Sequence, residues 1–244
     1  MQWVGMKNFF RIAYDPLFYT SLRNTVYFLI IHVPLQATIA LGFALLLSSG
    51  IRARGLFRAV YFFPVVVSGV VITILWQQLY SYDYGVLNAV LTTFGLPRIP
   101  WIVSPDVAMP SIALMATWKN VGIYIVLFLV GLQNIPRELY EAASIDGANP
   151  TRQFFRITLP MLNPTIVVSI VLSTIGGFSL FIEPYVLTGG GPMQSTLSGM
   201  LYIYNQAFYF NHMGYAAALG FVYALIILGA VMIQRKVVET ELTS

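Results

Sequence analysis

The stretch "NTVYFLIIHVPLQATIALGFALLLS", residues 24–48, runs for 25 residues without one Asp, Glu, Lys or Arg. A bilayer's hydrocarbon layer is about 30 Å thick and a helix rises about 1.5 Å per residue, so ~20 mostly apolar residues cross it. Inside lipid a single segment satisfies its own N–H and C=O groups only as a helix. Residues 24–48 are therefore read as a membrane span. Four further stretches have the same character, at 60–79, 111–132, 164–186 and 215–233. The expected fold is all-α and polytopic, with five transmembrane helices. The third span carries Lys119 and Asn120 and the fourth Glu183, so neither is selected for lipid contact alone.

Composition agrees. The chain of 244 residues is 58% hydrophobic and 9% charged, with a mean hydropathy of +0.76. That much apolar surface does not fit inside one water-soluble core. There is no Cys, which excludes disulfides, thiolate chemistry and Cys-based metal sites. Thirteen Lys and Arg against nine Asp and Glu leave a formal charge of +4, too small to suggest nucleic acid. The first twenty residues include Lys7, Arg11 and Asp15 and no continuous apolar run, so no cleavable signal peptide is expected.

The position of the basic residues sets an orientation, because loops rich in Lys and Arg stay in the cytoplasm. Arg52, Arg54 and Arg58 lie between the first two spans, and Arg137, Arg152 and Arg156 between the third and fourth. Both loops are expected inside, as is a tail, 235–244, that begins Arg235-Lys236. The loops at 80–110, with Arg98 alone, and 188–214, with no Lys or Arg, then fall outside. The N-terminal segment 1–23 would also lie outside, and its Lys7, Arg11 and Arg23 run against the bias. A further span preceding Met1 would repair the conflict.

Residues 133–163 form a polar island between two spans. Asn134 is a plausible N-cap, Pro136 suits a first turn, and Glu138 and Glu141 favour a helix N-terminus. Gly147 can take the positive φ that ends such a helix. Asn149-Pro150 repeats the start signal, so a second short helix is expected to about Thr158. Ala142 and Ala143 keep one helix face thin, and Glu141 and Asp146 can accept charged hydrogen bonds. On these residues alone, the island is equally a docking piece or a solvated connection resting on headgroups.

The spacing Glu141-Ala142-Ala143, Asp146-Gly147-Ala148, Phe155, Ile157, Leu159-Pro160 and Pro164 resembles the EAA motif of permease subunits of binding-protein-dependent ABC importers. "FRAVYFFP" at 57–64, "TWKNVGIYIVLFLVGLQNIPRELY" at 117–140 and "TGGGP" at 188–192 agree with it. The N-terminal "WVGMKNFFRIAYDPLFYTSLRNT" resembles the carbohydrate branch, in particular the larger subunit type of the maltose permease. The resemblance covers essentially the whole chain. It implies the type I ABC importer permease fold, with six helices in the full pattern, so that residues 24–234 form the transmembrane domain. It also implies a bacterial inner-membrane location, a second homologous permease subunit, two cytoplasmic ATPases and an external sugar-binding protein. Glu141, Ala142, Ala143, Asp146, Gly147 and Ala148 match the ATPase-coupling core, with Gly147 supplying the turn and Glu141 a polar contact.

The chain has no G-x-x-x-x-G-K-[ST] phosphate loop, so ATP and Mg belong to the partner ATPases and no cofactor or metal is expected here. Gly189-Gly190-Gly191-Pro192 reads as a tight turn. Polar groups within spans usually face a cavity, and sugars suit aromatic faces with a few hydrogen-bonding groups. Asn120, Tyr124, Gly176, Gly177, Phe178, Ser179, Phe181 and Glu183 are therefore candidates for a solute path. The competing readings are close helix packing for the glycines, snorkelling for Glu183 and Lys119 and an interfacial belt for the aromatics. His32 is expected to be a packed or interface histidine rather than a ligand. The expected function is import of a sugar or oligosaccharide. The alternative is an importer of a polyamine, amino acid, peptide or glycerol phosphate; a membrane-embedded enzyme and a passive channel are remote.

Overall fold

The computed structural model describes residues 4–48 and 54–240, and these contain helices and no strand. A short helix α1 (Lys7–Ala13) leads into α2 (Pro16–Ser48), followed by α3 (Arg54–Val66), α4 (Gly69–Leu79) and α5 (Val86–Thr93). After them come α6 (Pro105–Gln133), α7 (Arg137–Ile145), α8 (Pro150–Gln153), α9 (Leu159–Met161) and α10 (Asn163–Phe178). The last three are α11 (Ile182–Leu187), α12 (Gly199–Tyr204) and α13 (Met213–Thr240). Arg52 lies outside the described residues, as does the end of the tail beyond 240.

Among the described residues, four helical stretches are long and apolar enough to cross a membrane: Pro16–Ser48, Pro105–Gln133, Asn163–Leu187 and Met213–Lys236. The stretch expected as a straight second span is instead broken, with Ala59–Val66 and Gly69–Leu79 meeting at 109°. Pro64, near the end of α3, has no N–H to donate to the preceding turn. Ser68 then takes the extended ψ of 129° before α4 begins, so the helix restarts in a new direction. The fourth span is interrupted as well, at the residues between α10 and α11. The first span starts eight positions earlier than apolarity alone indicates, at Pro16 rather than Asn24. Its cap explains why: the Asp15 carboxylate accepts from the N–H of Leu17 (3.0 Å) and Phe18 (3.3 Å), and Pro16 occupies the first helical position, where no N–H is needed.

The chain divides into two compact units. One comprises the residues up to His32 with Val67–Ala116 and Thr174–Ala230; the other comprises Val33–Val66, Thr117–Ser173 and the residues from Val231 on. The first unit has two buried clusters, one around Phe28, Trp76, Tyr80, Met109 and Ile112, the other around Ile12, Phe18, Leu201, Tyr215 and Leu219. Polar groups fasten it internally. Asn24 donates to the carbonyls of Gln194 (2.7 Å) and Leu197 (3.1 Å), Ser198 to that of Leu180 (2.6 Å), and Tyr223 to that of Phe178 (2.8 Å). The hydroxyls of Tyr202 and Tyr215 both donate to the remaining Asp15 oxygen. Burial on its own would raise the Asp15 pKa; hydrogen bonds from Tyr202, Tyr215 and the N–H groups of Phe18 and Leu17 outweigh it and hold the carboxylate below its ordinary range. The Gly-rich turn at 188–192 forms as expected, with Gly189 and Gly190 at φ of 61° and 91° and the hydroxyls of Thr188 and Thr196 2.6 Å apart.

The second unit is built on Ala40, Ala44, Leu47, Val121, Ile125 and Phe128. Gly122 permits the closest helix approach there, since a Cβ would lie 2.3 Å from the Tyr61 carbonyl oxygen. Gln36 is buried and accepts a 2.6 Å bond from Ser173.

Candidate coupling hairpin and solute path

The polar island folds as a helical hairpin within the second unit. Helix α7 starts one residue after Pro136, whose φ and ψ of −60° and 131° make it the N-cap. Asn134, the cap expected from sequence, instead extends α6: its N–H bonds back to the carbonyls of Val130 and Gly131, both at 3.2 Å. Proline displaces it because a residue lacking N–H costs nothing where the first turn has no acceptor to meet. Glu138 lies in the first turn, where its charge suits the positive helix end.

The other end of α7 follows the sequence reading. Gly147 has φ +77°. Ala148 N–H bonds to Ala143 O at 2.8 Å and Gly147 N–H to Ser144 O at 3.1 Å, the 6→1 and 5→2 pair of a Schellman turn. Nothing lies within 4 Å of a Cβ built on Gly147, so backbone conformation rather than space selects glycine. Two residues on, Asn149 Oδ1 accepts from Arg152 N–H at 2.8 Å and caps α8, as expected. A π turn, Phe154–Thr158, carries the chain into α9.

The two arms are tied by residues that sequence patterning did not single out. Gln153 Nε2 donates to Ser144 Oγ (2.9 Å) and Ala148 O (3.2 Å), and the hydroxyls of Tyr140 and Thr158 pair at 2.9 Å. Their identity depends on which side chains meet across the hairpin, and nothing in their spacing announces it. Of the motif core, Glu141, Ala142, Asp146 and Gly147 are exposed, and Ala143 and Ala148 half-buried. Around them large apolar side chains also point outward: Leu139, Phe155 and Met161 are exposed, and Ile145 is 87% exposed. Behind the hairpin lies an open cavity of about 880 Å³ lined by Tyr61, Gln133, Arg137, Tyr140, Gln153 and Thr158 among others.

The residues expected along a solute path are distributed over the two units. Asn120 and Tyr124 fall in the second unit, 176–183 in the first. Tyr124, Phe178 and Glu183 are buried; Asn120 and Phe181 are half-buried. Gly177 is buried against α2, where a Cβ would lie 2.3 Å from Leu29 Cδ2. Gly176 and Ser179 are exposed, and a Cβ at Gly176 meets nothing. Phe181 opens a row of rings, stacking on Tyr185 at 5.3 Å and lying 4.9 Å from Tyr204, which in turn is 5.1 Å from Phe208. His32 is buried and stacked 4.8 Å from Phe28.

Relatives match nearly the whole chain. The chain is 36% identical over 241 residues to the probable ABC transporter permease protein YurN of Bacillus subtilis, covering 97% of this chain and 82% of that one. It is 40% identical over 233 residues to the lactose transport system permease protein LacF of Rhizobium radiobacter (93% and 78%). With the trehalose/maltose transport system permease protein MalF of Thermococcus litoralis the identity is 35% over 236 residues (96% and 79%). The fold matches, with a TM-score of 0.84 at 23% identity, a chain in the crystal structure of a bacterial ABC transporter that imports the acidic polysaccharide alginate, over 98% of this chain and 85% of that one. Residues 36–239 match the family described as binding-protein-dependent transport system inner membrane component, and the chain belongs to that family.

Proposed function

We propose that this chain is the permease subunit of an ATP-driven importer that moves a sugar or oligosaccharide delivered by an external binding protein. The observation that carries the reading is the hairpin at 137–161. It is held rigid by its own Schellman turn and cross-arm hydrogen bonds while presenting Leu139, Ile145 and Phe155 outward. A loop that only crossed water would not gain from exposing large apolar side chains, whereas a docking piece uses them as anchors. In this reading α7 seats in a partner ATPase, Glu141 and Asp146 make polar contacts at its rim, and closure of two ATPases around ATP pulls the hairpin. The hairpin and the C-terminal end of α13 then lie on the cytoplasmic side. A second, similar permease subunit completes the solute path, along which Asn120, Tyr124, Gly176, Gly177, Phe178, Ser179, Phe181 and Glu183 remain the candidates.

The sugar assignment rests on the named relatives, among them the lactose and trehalose/maltose permeases. Reconstituting the chain with its partner permease, ATPases and binding protein, and measuring ATP-dependent uptake across a panel of sugars, amino acids and polyamines, tests it. Uptake confined to sugars is expected; uptake confined to amino acids or polyamines would overturn the assignment. Because the chain has no Cys, Ile145→Cys gives a single thiol whose crosslinking to the ATPase tests the docking.

A further inference from the structure

The N-terminal helix α1 is fastened to the first unit along one side. Ile12 is buried in the cluster with Phe18, Tyr215 and Leu219. The Phe9 ring meets Phe221 edge-on at 6.2 Å, and the Arg11 guanidinium lies 4.1 Å above the Tyr215 ring, a cation held by a π face. Tyr19 ties the end of α1 to α2 by donating to Ala13 O at 3.1 Å. On the opposite side Met6, Phe10 and Tyr14 are 61%, 70% and 86% exposed. They recur every four residues and so line one face.

We propose that this face is a bilayer-surface anchor, with Met6, Phe10 and Tyr14 set in the boundary between lipid headgroups and acyl chains at the N-terminal end of α2.

Three observations say that lipid, rather than water or protein, covers it. The first is the length of α2. Its 33 residues extend about 50 Å, well beyond the ~30 Å of hydrocarbon. The charge-free part begins only after Arg23, so residues 16–23, and α1 attached to them, stand at headgroup level. The second is continuity. Phe221, against which Phe9 packs, heads a stripe of exposed apolar residues on α13 that continues through Leu225 and Leu228. On α2 the exposed Tyr19, Val26 and Ile30 form a second stripe at helical spacing. Both α2 and α13 are long and apolar enough to span a membrane, and an outward apolar stripe on such a helix suits acyl chains. Helix α1 is joined to both stripes, by Phe9 on Phe221 and by the Tyr19 hydroxyl on Ala13 O. The third is composition: Phe and Tyr beside exposed Lys7 and Arg23 are the residues that interfacial helices and the ends of spans use, aromatic rings at the boundary and basic groups reaching to phosphate.

The anchor gives α1 a purpose beyond covering Tyr215. It fixes the height of the α2 N-terminus in the bilayer, and with it Asp15, to which Tyr202 of α12 and Tyr215 of α13 are bonded.

The absence of Cys makes the test direct. Phe10→Cys and Tyr14→Cys are each spin-labelled in the complete transporter, reconstituted in vesicles of phosphatidylethanolamine and phosphatidylglycerol. Collision with oxygen, which concentrates in lipid, is compared with collision with a water-soluble nickel complex. Leu225→Cys supplies the lipid reference and Tyr84→Cys, at a residue 92% exposed, the aqueous one. ATP hydrolysis by each labelled complex confirms that it is assembled. The expected result is an oxygen-to-nickel ratio at positions 10 and 14 severalfold above that at 84 and approaching that at 225. A ratio equal to that at 84 would place the face in water and overturn the proposal. Shielding from both reagents would place a protein partner there and overturn it equally.

Discussion

In the hairpin at 137–161 the large apolar side chains point outward and the chain is ordered by its own backbone geometry, whereas around Asp15 the polar groups turn inward and order comes from burial. The two regions use glycine for opposite reasons. Gly147 has a positive φ and open space around it. Gly199 has crowding: a Cβ there would lie 2.3 Å from Tyr223 Cε2, while its N–H is bonded to Thr25 Oγ1 at 3.1 Å. An exposed hairpin must hold its shape without a core beneath every residue, so it relies on caps and turns. A helix junction inside the bundle can rely on contact.

The contrast is most severely tested at Gly147. Gly147→Val forces a β-branched residue into the left-handed region at a cost of about 1–2 kcal/mol, equivalent to about tenfold in an equilibrium constant. Coupled uptake by the reconstituted transporter should fall at least that far, while Gly147→Asn, which tolerates the conformation, retains most of it. Equal loss in both would mean that space, not φ, matters there. At Gly199 the order reverses: Gly199→Ala should lower thermal stability by about 1–3 kcal/mol through overpacking, and Gly199→Asn should be worse. Thermal unfolding of the purified complex measures this, with Gly176→Ala, where a Cβ meets nothing, as the variant expected to change little.

A smaller effect is expected at Asp15. Asp15→Ala removes the cap of α2 and the acceptor of two tyrosines, and a lost cap alone costs about 1 kcal/mol. The same group gives a pH signature. Its folded pKa lies below the unfolded value of 3.8, so the stability it contributes is fully present above that value and is lost as pH falls through the folded one. Melting curves of wild type and Asp15→Asn should converge at the acid end and separate above it; a constant gap would show that the carboxylate charge is not what the tyrosines require. Smallest of all, Tyr140→Phe removes one hydroxyl pair of the hairpin, costing about 0.5–1.5 kcal/mol. It should loosen α7 without abolishing uptake, which hydrogen exchange across 137–145 would detect.

Much of the candidate coupling hairpin is legible in the sequence because it is local. Gly147 and Asn149-Pro150 act within four residues of themselves, and the structure realises both. Asn134 has a cap's chemistry but does not cap α7, because the proline two residues later serves better. The ties made by Gln153 and Tyr140 were invisible, since each reaches a partner set by the hairpin as a whole. Asp15-Pro16 carries a cap signal that hydropathy does not register, which is why the first span begins earlier than hydropathy places it.

The sequence by itself determined that this is an all-helical membrane chain, which apolar segments form its spans though not where each begins, and which segment resembles a coupling loop. Apolar runs, caps and positive-φ glycines are decided by transfer free energy and short-range sterics, and both are written in consecutive residues. Only the tertiary structure decided that the second span breaks by 109° after Pro64, that Gly177 faces inward and Gly176 outward, and that Asp15 gathers tyrosines from about 190 and 200 positions away. Those outcomes depend on which helices meet. A membrane span leaves that open in its sequence, because lipid rewards every apolar face alike and only packing tells one from another.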